Sequence, residues 1–461
     1  MPILYTVCVP HPPLIIPNIG RGREKDIQKT IDSYEYVMKK VASYHPDTVI
    51  IISPHSIMYS DYLHISPGYH AYGDFGLYHA GNVEIECDYD SEFVRLLESL
   101  CNAEGIPAGT LGERDASLDH ATMIPLYFLQ KYTKNFKVIR TGISGISFAS
   151  QYAFGQAIAK TAEILERNVV IVASGDLSHK LIDSGPYGYV KEGPEFDKKI
   201  THIFETGDFL SLLTLDPDFC DKAAECGLRA FQIMAGALDK KAVKPHLYSY
   251  EGPFGVGYGV ADFEVIGDDP DRDFGRQFNV YEHKRLQKVK AKEDVYVQLA
   301  RKTIETYIKT GKRIDIPEGL PEEMLNRQAG VFVSLHKDGQ LRGCIGTFQP
   351  TTECIAQEII QNAISACSRD PRFNRVMRKE LKRLVYSVDV LGEVEPVHDI
   401  NELDPKRYGV IVSAGRKRGL LLPDLPDVDT VTDQIEIARQ KAHIHEDQDV
   451  KLERFEVVRH T

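Results

Sequence analysis

The 461-residue sequence has no tryptophan, no C-x-x-C pair, no block of basic residues and no apolar run near the ~20 residues that span a bilayer. The missing apolar run excludes an ordinary transmembrane helix. The missing basic block, with a formal charge of −12, argues against nucleic acid and anionic membrane surfaces as partners. Eight cysteines are scattered from Cys8 to Cys367, far too sparsely for a disulfide scaffold. Reduced thiols in the cytoplasm are therefore expected. Cys220 and Cys226 lie six apart with no neighbouring histidine, so they do not read as a zinc site. Met1-Pro2-Ile3-Leu4-Tyr5 has no basic stretch or small-residue cleavage site, and no signal peptide is expected. The lack of tryptophan carries no functional message.

What is present is ordinary globular material, 43% hydrophobic and 26% charged. At about 100–200 residues per domain, the length predicts two or three domains. Ile3–Val9, Thr48–Ser53, Phe136–Gly142, Val169–Ser174 and Val256–Val265 read as strands, mostly buried. Ile27–Tyr44, Phe93–Cys101, Ala121–Gln130, Tyr152–Arg167 and Ala223–Leu238 read as helices, the first from the spacing of Ile31, Tyr34, Val37, Met38 and Val41. Strand–helix alternation predicts an α/β domain over 1–266, its sheet covered by helices. The acidic, turn-prone stretch beginning at Gly267 predicts a linker over 267–284. Residues 285–461 open with a charged helix (Lys284–Thr310) and then mix strands (Gly330–Leu335, Val385–Leu391, Gly409–Ser413) with a helix at Ile355–Arg369. This predicts a smaller α+β domain.

Histidines recur just after buried strands. His11 follows the first, His55 the second, and His179 follows Val169–Ser174, while His120 opens a helix. In open α/β sheets, loops beyond the carboxyl ends of the strands converge on the ligand site. Two imidazoles and a carboxylate on one face of a cation leave positions open for substrate and oxygen, the arrangement of non-haem Fe(II) oxygenases. Zn(II) accepts the same ligands. Taken singly, each histidine is more often a hydrogen-bonded loop residue, and the pattern does not select one carboxylate.

The motifs P-H-P-P-L (Pro10–Leu14), S-P-H (Ser53–His55), L-D-H-A (Leu118–Ala121), S-G-D-L-S-H (Ser174–His179), E-C-G-L (Glu225–Leu228) and Y-E-G (Tyr250–Gly252) follow in that order. As a set they resemble the class III extradiol ring-cleavage dioxygenases, the LigB-like group that includes the Memo proteins. The resemblance covers about residues 1–265. It implies His11, His55 and Glu251 as Fe(II) ligands, although a cysteine stands at the carboxylate's place in Memo-like relatives. It implies His179 as the acid/base and His120 as a partner of bound oxygen or substrate. Asp119 and Asp176 sit beside these and could orient the imidazoles; as turn-stabilising residues they would have no such part. The implied substrate is a catechol-type or other small aromatic.

Downstream, Leu341–Thr347 (LRGCIGT), Asp370–Phe373 (DPRF), Tyr408–Val412 and Gly419–Pro423 resemble the AMMECR domain, over about Asp294–Thr461. A LigB-like unit followed by an AMMECR unit is similar to the A proteins of AmmeMemoRadiSam systems. This implies a radical-SAM protein and a Memo-like protein as partners, and leaves self-association open. Arg342 and Cys344 are expected in a loop around Gly343, where a guanidinium beside a thiol could activate it; the plainer expectation is a small residue packed where a strand turns. Arg372 reads as an anion ligand or, more simply, a salt-bridge partner. Three functional readings follow: an Fe(II) extradiol dioxygenase, a metal-binding scaffold working with a radical-SAM partner, and a Zn(II) hydrolase on the same ligands.

Overall fold

The computed structural model describes residues 2–425, 428–445 and 448–461. They form two compact units, 1–281 and 282–461. Among the described residues no helix is long and apolar enough to cross a membrane.

Unit 1 contains β1 (Ile3–Val9), α1 (Gln28–Ser43), β2 (Thr48–Ser53), β3 (His70–Phe75), β4 (Ala80–Asp88), α2 (Ser91–Glu104), α3 (His120–Leu129), β5 (Lys137–Gly142), α4 (Phe148–Ile164) and β6 (Val169–Ser174). These are followed by α5 (Glu192–Thr206), α6 (Leu228–Ala237), β7 (Lys241–Glu251) and β8 (Tyr258–Asp268). The main sheet has the order β5-β2-β6-β1-β8-β7. Its first four strands are parallel, and β8 and β7 close it as an antiparallel pair.

Successive residues of a strand face opposite sides of its sheet, so a strand buried on both sides must be apolar throughout. Here Tyr5, Val7, Val49, Ile51, Val170 and Val172 pack on one side, with α1 and α3. Cys8, Ile50, Ile52, Ile171 and Ala173 pack on the other, with α2, α4, α5 and α6. Two of these helices cross on glycines. A Cβ on Gly155 would lie 1.9 Å from the Ile233 carbonyl oxygen, and one on Gly236 would lie 2.0 Å from that of Tyr152.

The stretch expected to be a linker, 267–284, has regular structure. Strand β8 continues to Asp268, a 3-10 turn spans Pro270–Arg272, and α7 (Phe274–Lys290) follows. Its acidic residues cap backbone donors: Asp269 accepts from the Asp271 N–H and Asp273 from the Arg276 N–H. The charged helix expected over Lys284–Thr310 is two, because Asp294 caps a new one, α8 (Val295–Thr310). The helix expected over Ala223–Leu238 also breaks. Ala224 is left-handed, with φ of 52°, and the Glu225 carboxylate accepts from the Leu228 N–H to start α6.

Unit 2 continues with β9 (Val331–Lys337), β10 (Gln340–Thr347), α9 (Ile355–Ser368), β11 (Leu384–Leu391), β12 (Tyr408–Ala414), β13 (Lys417–Leu421), α10 (Val431–Lys441) and β14 (Lys451–His460). The strands form an antiparallel sheet in the order β10-β9-β11-β14-β12-β13, with a short seventh strand, Glu395–Pro396, paired to β14. Helices α8 and α9 cover one part of it, and α10 packs with β12 and β13 over a separate small core.

Candidate metal centre

Strand β1 ends at Pro10, which has no N–H for the ladder, and the chain turns out carrying His11. The same happens after β2, where Pro54 precedes His55. The two histidines thus leave the sheet at the carboxyl ends of parallel strands, and their Nε2 atoms lie 3.1 Å apart. The third group is Cys226, in the break before α6, with Sγ 3.6 Å from His11 Nε2. One atom from each residue lies within 4.8 Å of the others, and among the described residues these two histidines and one cysteine form a group that could hold a metal ion.

Two loops must almost touch to place Cys226 there, and glycine allows it. A Cβ on Gly175 would meet the Gly227 Cα at 2.2 Å. This contact lets the Gly227 N–H donate to the Asp176 carbonyl and the Asp176 N–H point at Cys226 Sγ, 3.4 Å away. The Asp176 carboxylate accepts from the His11 N–H at 2.8 Å. His11 Nδ1 lies 3.1 Å from Ser174 Oγ, which fixes the ring with Nε2 inward. Burial, then the neighbouring His55, His120 and His179, hold His11 well below the ordinary imidazole range. Burial also lowers His55. Both rings are therefore neutral, the state in which imidazole binds a cation. Burial pushes the Cys226 thiol up and the Asp176 carboxyl to about 7.

Glu251 is not part of this group. Its Oε2 accepts from both the Thr30 N–H and the Thr30 Oγ1, each at 2.7 Å, and so ties the end of β7 to α1. The expectation that it is the carboxylate ligand is corrected by this placement; Cys226 stands beside the two histidines. The sequence signal was the E-C-G-L motif. The spacing of Cys226 from Cys220 hides that signal, because six residues with no neighbouring histidine match no metal pattern.

His120 and His179 flank the cluster. The His120 ring centroid is 4.3 Å from that of His55 and 5.5 Å from that of His11. Burial and then His55 lower its pKa to about 4. Asp119 does not bond His120. It caps α3 at Thr122 and accepts from Ser53 Oγ, which in turn accepts from the His55 N–H, so it steadies His55 through Ser53. His179 Nδ1 faces the Ala224 carbonyl, not Asp176, leaving Nε2 free, and burial lowers its pKa. The loop carrying it is anchored by buried Asp197, which accepts from the Ser178 N–H and the Tyr250 hydroxyl. Tyr78 and Tyr187, which the sequence did not single out, stand edge-on to His120 and His179 at 5.5 and 5.3 Å. A pocket of about 480 Å³ opens beside His55 and His120, lined also by Tyr72, Tyr78, Asp119 and Arg140.

In unit 2, Arg342 and Cys344 are on strand β10, not in a loop. The Arg342 guanidinium is held by both oxygens of Glu380, at 2.9 and 3.1 Å, and does not serve the thiol. Arg372 makes a two-point pair with Asp370 and donates to the Cys344 carbonyl. Asp370 is buried and also accepts from the Cys344 N–H at 2.9 Å. Its bonds to Arg372 first, and the backbone N–H groups next, hold it down to about 2. Asp370→Ala should therefore cost about 2–3 kcal/mol of unit 2 stability, measured by chemical denaturation at pH 7. A depressed carboxyl stabilises above its unfolded pKa of roughly 4, so the gap between wild type and variant should close as pH falls from about 4 towards 2.

Comparison with known proteins agrees with this division. Residues 5–261 match the model of the catalytic LigB subunit of aromatic ring-opening dioxygenase, and residues 297–460 match that of AMMECR1. Protein CA_C1420 of Clostridium acetobutylicum is 42% identical over 98% of both chains. A protein of Thermotoga maritima is 54% identical over 170 residues, 36% of this chain and 98% of its own. Among solved structures, the uncharacterized protein PH0010 of Pyrococcus horikoshii is 33% identical, covering 36% of this chain and 88% of its own, with a TM-score of 0.34. The chain belongs to the LigB family, with an AMMECR1 unit fused behind the LigB unit.

Proposed function

We propose that unit 1 is a metal-dependent enzyme in which His11, His55 and Cys226 hold one Fe(II) and which opens the ring of a small aromatic diol. The observation that carries the proposal is the convergence of two neutral imidazoles and a thiol, one of the imidazoles lining a pocket, in a chain of the LigB family. The donors suit a divalent transition ion: two nitrogens and a sulfur that becomes anionic on binding. When bound, the ion would favour the deprotonated diol and leave positions for oxygen.

The protein's own groups do the rest. Ser174 and Asp176 orient His11, and Asp119 with Ser53 steadies His55. The neutral His179 takes the diol proton at Nε2 and returns it as the ring opens. His120, which lines the pocket, offers a second polar contact. The pocket volume is in the range of small-molecule sites.

Protein purified without oxygen, loaded with Fe(II) and given a panel of catechols in air should produce the yellow ring-opened product. Bound iron with no turnover across the panel would overturn the catalytic reading and favour a metal-binding scaffold. Cys226 supports a second reading, since a thiolate suits Zn(II) as well and the same residues would then serve a hydrolase. Near-stoichiometric zinc in protein from metal-replete cells, with no iron, would favour it.

A further inference from the structure

Unit 2 holds a crevice of about 520 Å³ between the C-terminal half of α7, helix α8 and the turn Leu381–Arg383. Lys290, Arg301, Lys309, Arg378 and Lys382 line it, and the one carboxylate among its lining residues is Glu305. We propose that this crevice binds a small organic anion bearing two or more phosphate groups.

The first argument is charge. The chain as a whole carries 67 acidic against 55 basic residues, yet five cations converge here. Glu305 is already shared by three of them, lying 3.9 Å from Lys290, 3.8 Å from Arg301 and 2.7 Å from Lys309. Glu293, which does not line the crevice, binds Arg301 through both oxygens. Arg378 and Lys382 make no ion pair among the described residues. Cations held together without enough counter-charge repel one another, and a multiply charged anion relieves that repulsion.

The second argument is that the cations sit on anchored backbone. Arg301 is buried, locked by Glu293, and stacked over the Tyr386 ring at 4.4 Å. Glu380, between Arg378 and Lys382, is fixed by Arg342 and Lys337 and accepts from the Met377 N–H. Positioned guanidinium and ammonium groups suit phosphate oxygens.

Shape supplies the third argument. Leu286, Leu381 and Leu384 form an apolar wall, which suits a ring or alkyl portion beside the charged groups. A single concavity of this size fits a small molecule. Nucleic acid would need an extended basic stripe, and the acidic chain opposes it.

The test is calorimetric titration of the full chain with ATP and with pyrophosphate, both without added magnesium. Saturable binding of at least one probe is expected, weakening as salt is raised. Arg378→Ala with Lys382→Ala should weaken it by about tenfold or more. Lys302→Ala, an exposed lysine outside the crevice, should leave it unchanged. Both cations of the double variant are exposed. An unaltered unfolding midpoint would show that lost binding is not lost folding, and a shifted one is answered by the single variants, each of which should weaken binding. The proposal is overturned if neither probe saturates, if the variants bind like wild type, or if only a single-stranded oligonucleotide binds.

Discussion

Cys226→Ala should abolish stoichiometric metal binding, whereas Glu251→Gln should leave it intact. Removing one of three donors is expected to cost more than the roughly 10–100-fold in affinity that an orienting partner is worth. His11→Ala and His55→Ala should match Cys226→Ala, because the remaining pair of donors cannot close around an ion. Ser174→Ala, which removes only the hydroxyl beside His11 Nδ1, should fall between wild type and these variants. The Glu251 change acts elsewhere. Its carboxylate takes two bonds from Thr30, so the amide should cost about 1–2 kcal/mol of stability through the α1–β7 contact. Elemental analysis of anaerobically purified protein, paired with denaturant melts, separates the two effects. Full metal retention in Cys226→Ala, or its loss in Glu251→Gln with folding intact, would reverse the assignment made from the geometry.

The contrast between Cys226 and Glu251 marks where sequence reasoning reaches and where it stops. β1, β2 and β6 were legible to the residue, because strands buried on both faces are continuous apolar runs and each ends at a proline or glycine. His11 and His55 follow from those ends directly. The hairpin of β3 and β4 was missed because its alternate residues face solvent, and β7 because it is a half-exposed edge strand carrying Pro245. Those misses matter for the site, since β7 carries Glu251 and the hairpin carries Tyr78. Adjacency of Glu251 to a recognised motif says nothing about which way its side chain turns, and it turns to α1. Cys226 lies 215 residues from His11. It reaches the cluster through a helix break at Ala224 and the close contact of Gly175 with Gly227, and neither has a periodic signal.

His179→Ala should keep the metal and lose the reaction. The ring makes no contact with Cys226 in the hydrogen-bond network, and its Nδ1 is committed to the Ala224 carbonyl. That bond sets the tautomer: Nδ1 carries the proton, so Nε2 keeps its lone pair. A positioned base of this kind contributes about 10²–10⁴-fold, and that is the expected fall in kcat on a catechol that wild type turns over. KM should change little, because the ring is proposed to act on a proton and not to grip the substrate. Burial lowers the His179 pKa, so the base stays neutral at acidities that would protonate a free imidazole. The acid limb of the wild-type rate profile should accordingly fall below the ordinary imidazole value, and in His179→Ala that limb should vanish along with most of the rate. Unchanged kcat at full iron occupancy would remove His179 from the mechanism. His120, whose pKa is lowered further, would then be the group left to move the proton.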